Sequence, residues 1–439
     1  MEKTKYLIIG NSAGGIGAAE AIRELDISGA ITIVSDEPYP AYSRPLVADY
    51  LSSHRPLERM LFRSPDFYES NDIGTILGDG VTGVDFARHI ATLASGQTLQ
   101  WQKLLLATGG LPIVPDIESL GLKGVFNFIT LDDAKGIDDF LTQHRMEARA
   151  VVIGGGLIGV SATESLVKRG VKVTIVEMKD RILNTILDEE ASSTEAEAIT
   201  KDGVEIITGH TVSEINGNLL GGVRSAVLDD GRLIDCQMVV VAIGVRPRLE
   251  LVADSDIKRN RGIIVDRFMV TSQPDVYACG DVAEAYEYIY GENRLIPIWP
   301  NAYLGGRVAG CNMAGGRAEY PGGTAMNSVK YFGADAVSAG MVAPPDDSYE
   351  AIKIEHNGVY KKVVLKDGLI AGMVFVGDIE KSGIVYNLMK EGVDVSDFKE
   401  ALVADDFGLA SLPEKIWRRK LATTTSLSAC QLDRLLVGE

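Results

Sequence analysis

The chain has 439 residues, 46% of them apolar, which is enough for about three domains with cores of their own and excludes a disordered or disulfide-stapled class. Its 61 acidic and 43 basic side chains leave a formal net charge of −18, which argues against general nucleic-acid binding and against an anionic membrane surface. The four cysteines, Cys236, Cys279, Cys311 and Cys430, have neither CxxC nor Cys/His metal spacing, so no disulfide framework or metal site is expected and a cytoplasmic location follows.

Residues 1–5 pass straight into the apolar run 6–9, leaving no room for a signal peptide. That run feeds Gly10-Asn11-Ser12-Ala13-Gly14-Gly15, a helical pattern over 16–25 and a second strand at 31–34. Residues 103–106 form another strand, which ends in Ala107-Thr108-Gly109 and leads to Pro112 and Pro115, a crossover between domains. The strand–turn–helix–strand pattern then returns, 144 residues after Gly10: strand 150–153, the turn Gly154-Gly155-Gly156-Leu157-Ile158-Gly159, a helix to about Arg169 and a strand ending in Glu177. Residues 239–241 with Ala242-Ile243-Gly244 repeat the pattern of the strand that ends at Gly109. From about Ala325, short alternating segments at 351–355, 360–365 and 370–376 are bounded by Asn357-Gly358 and Asp367-Gly368 and read as a small antiparallel sheet, followed by a helix over 384–391. The longest strongly apolar stretch, about 238–245, is far short of the roughly 20 residues that span a bilayer.

Glycine in both turns has a steric reason: the backbone must bend tightly from strand to helix and approach a pyrophosphate, whose charge then sits on the helix N-terminal amides. Glu177 lies 23 residues after Gly154, near the spacing of about 20 expected for a carboxylate that holds an adenosine ribose. Met178-Lys179-Asp180 follows it, with no adjacent arginine, so NAD(H) is expected over NADP(H).

Together with Asp275-Val276-Tyr277-Ala278-Cys279-Gly280-Asp281, these motifs resemble the two-dinucleotide-domain flavoproteins of the pyridine nucleotide-disulfide oxidoreductase superfamily, from Lys5 to about Phe407. The resemblance implies an α/β fold with two Rossmann-like dinucleotide-binding domains, three-layered and glutathione-reductase-like, and a small α+β C-terminal interface domain. The expected division is a discontinuous FAD-binding domain (1–115 and 248–322), an NAD(H)-binding domain (116–247), an interface domain (323–412) and a tail (413–439) as a candidate docking segment. FAD is expected on Gly10, Ser12, Ala13, Gly14, Gly15, Asp36, Glu37, Arg44, Pro45, Ala107, Thr108, Gly109, Gly280 and Asp281. NAD(H), as substrate, is expected on Gly154, Gly156, Leu157, Ile158, Gly159, Glu177, Ile243 and Gly244. Three departures stand out. Ser12 replaces the middle glycine, Ser35 replaces the usual ribose acid with Asp36 and Glu37 just beyond, and Ser161 stands where many relatives carry a glutamate near the nicotinamide.

Disulfide reductases of the superfamily need a thiolate beside the flavin, in the stretch that here spans residues 40–51 and contains no cysteine, so a thiol mechanism is not expected. Tyr42-Ser43-Arg44-Pro45-Leu46 is similar to the ferredoxin- and rubredoxin-reductase branch. Asp49 stands where that branch often has lysine, and is a candidate proton relay against the alternative of a solvated or helix-capping acid. Trp299, in Trp299-Pro300-Asn301-Ala302, is a candidate flavin-edge residue at a docking face, against the alternative of a packed aromatic.

The expected function is electron transfer between NAD(H) and an iron–sulfur ferredoxin-like or rubredoxin-type partner. The chain would serve as the NAD-reducing flavin subunit of a larger complex, such as a tungsten aldehyde oxidoreductase or carbon monoxide dehydrogenase. The alternatives are a stand-alone NADH oxidase, peroxidase or coenzyme A-disulfide reductase, and a non-catalytic flavin-binding sensor or structural subunit. Two basic clusters are candidate docking patches, Arg44, Arg55, Arg59 and Arg63 near the flavin segment and Lys415, Arg418, Arg419 and Lys420 beside Trp417. A homodimer through the C-terminal sheet is compatible with the sequence. The five histidines are isolated along it and show no metal spacing.

Overall fold

A strand covered on both faces must be apolar throughout, and Tyr6–Ile9 is buried at every position. In the computed structural model, which describes residues 2–117, 119–144 and 148–422 with side chains through Arg418, it is the middle strand of a five-stranded parallel sheet. The order is Val276–Ala278, Lys103–Leu106, Tyr6–Ile9, Ile31–Ser35, Ile73–Leu77. A second parallel sheet has the order Val125–Asn127, Met238–Val241, Arg149–Ile153, Lys172–Glu177, Glu205–Thr208. In each, the strand that runs into the glycine turn is central, so the sequence repeat is a repeat of topology. Each fully buried Leu or Ile in these strands contributes roughly 2 kcal/mol of apolar burial.

Strands from before residue 110 and after 270 share the first sheet, so that unit is discontinuous in sequence. The crossings between the two units run side by side, as Gly110–Pro112 pairs antiparallel with Val245–Pro247. A helix read from the first unit, Val47–Ser53, packs against two helices of the second, Leu131–Gln143 and Leu157–Lys168. Ser165 donates to the Ala48 carbonyl at 3.0 Å and Arg169 to that of Leu51 at 2.9 Å, which fastens this helix to the second unit.

The C-terminal segments form a five-stranded antiparallel sheet ordered Met326–Tyr331, Ala334–Gly340, Leu369–Val376, Val359–Lys366, Glu350–His356, with the helix Ser382–Lys390 against it. Both hairpin pairs have positive φ at two central residues, Asn357 (50°) with Gly358 (77°) and Asp367 (50°) with Gly368 (78°), as a tight two-residue turn requires. Asp188 fastens the sheet to the second unit. It caps the helix Glu189–Lys201 and accepts from the buried Tyr360 at 2.6 Å and the partly buried Lys362 at 2.8 Å.

The helix Trp299–Met313 returns to the first unit and lies on Ala13–Leu25 with main chain against main chain. A Cβ on Gly306 would sit 2.0 Å from the Gly14 carbonyl oxygen, and one on Gly310 would sit 2.2 Å from that of Ala18. Cys430 lies outside the described residues. Among the described residues no helix is long and apolar enough to cross a membrane.

Candidate active site

Both glycine turns open into one cavity of about 1420 Å³ between the two units. Gly10 (φ +124°) and Gly154 (φ +106°) occupy backbone conformations that other residues resist, and a Cβ would meet the Ala107 carbonyl oxygen at 2.1 Å or that of Ala242 at 2.5 Å. The helices that follow, Ala13–Leu25 and Leu157–Lys168, begin at Ser12 and Gly156 with no side-chain cap and no acid in the first turn. Their free amides and positive dipole ends therefore face the cavity. A third helix reaching it, Leu131–Gln143, is closed by its own capping box, in which Thr130 accepts from the Asp133 amide and Asp133 accepts from the Thr130 amide. Two uncapped helix starts in one cavity fit two diphosphates.

Most of the residues expected from sequence line this cavity: Gly10, Ser12, Ala13, Gly14, Asp36, Glu37, Arg44, Pro45, Ala107, Thr108, Gly109, Gly280 and Asp281 on one side, and Gly154, Gly156, Leu157, Ile158, Glu177, Ile243 and Gly244 on the other, with Trp299. Gly15 and Gly159 do not. Their role is packing, since a Cβ there would lie 2.0 Å from the Gly10 carbonyl oxygen or 1.8 Å from that of Gly154, and each helix needs that room to start against its turn. Asp49 does not line it either. Val47 and Ala48 face the cavity, whereas Asp49 turns to solvent and pairs with Arg55 at 3.0 Å, so its placement gives no support to a proton relay.

Glu37 accepts from Tyr42 at 2.6 Å and pairs with Arg44, and Asp36 pairs with Arg248 at 2.5 Å. Both acids proposed to replace Ser35 thus already have cationic partners. Glu177 accepts the Gly155 amide at 2.6 Å and the Lys179 amide at 2.8 Å, which fixes its carboxylate at the turn. Asp281 has no hydrogen bond or ion pair to its carboxylate within the described residues, and burial pushes its carboxyl above the ordinary range. A half-buried acceptor facing a cavity suits the hydroxyls of a ligand chain. These donors and acceptors fit FAD on the first turn and NAD(H) on the second.

The electrostatics correct one expectation. Of the first basic cluster, Arg44, Arg55 and Arg63 are paired with Glu37, Asp49 and Glu20, so that patch is largely neutralised and Arg59 is the exposed remainder. In the tail, Arg418 pairs with Glu414 at 2.5 Å, and nothing is described of the Arg419 and Lys420 side chains. His210 is not isolated, since its Nδ1 lies 2.9 Å from Asp229 on an exposed hairpin.

Trp299 is half-buried at the cavity's margin, edge-on to Phe62 with ring centroids 5.1 Å apart, beside the exposed Pro297 and Pro300. The cysteine on the cavity, Cys279, is fully buried, and its thiol is pushed up to about 12 by burial and then by the charge of Asp281. Cys236 is likewise buried and pushed up to about 12.

Sequence reasoning missed the wall supplied by the C-terminal sheet. Met326, Asn327, Ser328, Val329 and Tyr331 line the cavity, and the Tyr331 hydroxyl donates to the Leu157 carbonyl at 3.3 Å. The alternation of that strand signals only a sheet, and nothing local says which domain it faces.

Known proteins place the chain. The description "Pyridine nucleotide-disulphide oxidoreductase" matches residues 4–306, and "Rubredoxin NAD+ reductase C-terminal domain" matches 326–393. The chain is 30% identical over 423 residues to NADH-dependent phenylglyoxylate dehydrogenase subunit epsilon of Aromatoleum evansii, covering 95% of this chain and 99% of that one. It is 30% identical over 401 residues to nitrite reductase [NAD(P)H] of Bacillus subtilis (strain 168), where 90% of this chain spans 48% of that protein, about half its length. The solved ferredoxin reductase for the CYP199A2 system from Rhodopseudomonas palustris superimposes with a TM-score of 0.83 at 25% identity, over 93% of this chain and 99% of that one. The chain therefore belongs to the pyridine nucleotide-disulphide oxidoreductase family, whose members are FAD-containing, NAD(H)-dependent oxidoreductases.

Proposed function

We propose that this enzyme carries electrons between NAD(H) and an iron–sulfur ferredoxin-like or rubredoxin-type protein, and that it does so as the NAD-linked flavin subunit of a multi-subunit oxidoreductase. The observation that carries this reading is one cavity with two uncapped helix starts, an aromatic at its margin and, among the described residues, no cysteine lining it but the buried Cys279, whose thiol is pushed up. Similarity along nearly the full length of a subunit of an NADH-dependent dehydrogenase supports membership in a complex, and the rubredoxin-reductase match over 326–393 supports a small redox protein as partner.

Bound FAD would supply the exchange between electron pairs and single electrons. The Gly10 turn, Thr108, Gly109 and Asp281 would hold it, and the Gly154 turn with Glu177 would hold NAD(H). The protein's contribution is orientation. It brings the two ligands together across a wall completed by Ser161 and Tyr331 and leaves Trp299 at the margin where a partner docks. In a complex with low-potential iron–sulfur subunits the working direction is NAD reduction.

Anaerobic purification from the native host tests the assembly, and co-elution with an iron–sulfur protein is expected. Stopped-flow oxidation of the NADH-reduced enzyme by that protein should slow at least tenfold in Trp299→Ala while NADH-linked dye reduction is kept. Equal rates in both enzymes would remove Trp299 from the path, and isolation as a lone, oxygen-consuming chain would overturn the proposal.

A further inference from the structure

The seam between the second nucleotide-binding unit and the C-terminal sheet encloses an acid that electron transfer does not use. Glu195, on the helix Glu189–Lys201, is fully buried, and neither carboxylate oxygen has a hydrogen-bond partner. That helix packs on Glu205–Thr208 of its own unit and, across the seam, on Met326–Tyr331, Ala334–Gly340 and Leu369–Val376. None of these elements offers it a free cation. Asp335 holds Lys330 at 3.0 Å, and Glu164 holds Lys168 at 3.1 Å while accepting the Phe332 amide at 2.9 Å. Tyr331 is neutral, Glu205 accepts from Thr174 at 3.0 Å, and Leu369–Val376 contains no titratable residue. Among the described residues, then, Glu195 is enclosed by two like charges and has no partner.

A carboxylate in such a place is tolerated as the neutral acid and resisted as the anion. We infer that Glu195 is a proton-operated latch: the C-terminal sheet closes on the nucleotide-binding unit with uptake of one proton, and losing that proton loosens the seam together with the cavity wall at 327–331. The wall is coupled because Asn327, Ser328, Val329 and Tyr331 line the cavity on the same strand that packs against the helix of Glu195. The latch belongs to the chain's own fold and holds whichever partner the enzyme serves.

Burial first, then the charges of Asp335 and Glu164, push the Glu195 carboxyl from 4.5 up to about 7. The folded value is raised, so the stabilisation of the closed seam is complete below 4.5 and is lost as pH rises to about 7, with no further change above. Between pH 5.5 and 7.5 the closed-to-open ratio falls about 20-fold.

Hydrogen–deuterium exchange of the holoenzyme tests this. With intrinsic exchange divided out, opening of the amides at 326–331 should rise about 20-fold from pH 5.5 to 7.5 in the native enzyme and stay flat in Glu195→Gln. Equal pH dependence in the two overturns the latch. Infrared titration of the native holoenzyme stands without the variant. A buried protonated carboxylic acid band that fades with a midpoint near 7 is expected, and its absence at pH 5.5 refutes the inference.

Discussion

Replacing Cys279 by alanine asks whether a thiol of the chain carries electrons. Cys279 touches the cavity, but its Sγ is packed against the first glycine turn, where a Cβ on Gly14 would lie 2.7 Å from it. With the thiol pushed up to about 12, the thiolate fraction at pH 7 is on the order of 10⁻⁵, against about 3% for an ordinary thiol. Any step that needed this thiolate would be slowed about 3000-fold relative to an unperturbed cysteine. Cys279→Ala should therefore keep NADH-linked dye reduction within about threefold. The small void left behind should cost about 1 kcal/mol, seen as a modest fall in melting temperature. Steady-state dye reduction, normalised to the FAD content read from its absorbance, measures the first, and a thermal melt measures the second. A loss of more than 100-fold at full flavin occupancy would refute the reasoning and return the enzyme to thiol chemistry.

Gly159→Ala places a methyl 1.8 Å from a backbone oxygen, so NADH affinity should fall at least 100-fold while FAD is retained, as a binding titration followed by flavin fluorescence would show. Asp188→Ala removes a helix cap, leaves the buried Tyr360 hydroxyl without its acceptor and leaves Lys362 only the Val342 carbonyl at 3.2 Å; chemical denaturation should register a loss of about 2 to 4 kcal/mol. Asp281→Asn removes an acceptor already short of partners, and the protein should come off the column with less flavin but an unchanged far-ultraviolet dichroism spectrum. Truncation after Pro413 should weaken assembly with the redox partner more than it weakens dye reduction; equal loss of both would make the segment structural only.

The repeated unit was legible because its chemistry is local. Strand, glycine turn and helix lie within about 25 residues, and each glycine answers a steric demand that the next strand of the same sheet imposes, Ala107 on Gly10 and Ala242 on Gly154. Asn357-Gly358 and Asp367-Gly368 announced their hairpins for a similar reason. What stayed hidden depends on distant partners. Asp49 stands out in sequence because the ferredoxin- and rubredoxin-reductase branch often has lysine there, but one step of helical rotation separates it from Ala48, which faces the cavity. The arginines near the flavin segment looked like a basic patch until the fold brought Glu20 and Glu37 to them. Glu195 gave no signal, because in sequence it is one acid among several on a polar helix.

The contact between Ala13–Leu25 and Trp299–Met313 bears on how such an enzyme diverges. Where two rods touch through their peptide groups, as at Gly14 with Gly306 and Ala18 with Gly310, that point of their crossing has no adjustable shim, so the flavin-side turn and the tryptophan on the rim are machined to one another. A lineage changing its electron acceptor would therefore leave this joint alone and alter the rim residues and the appended terminal segment instead.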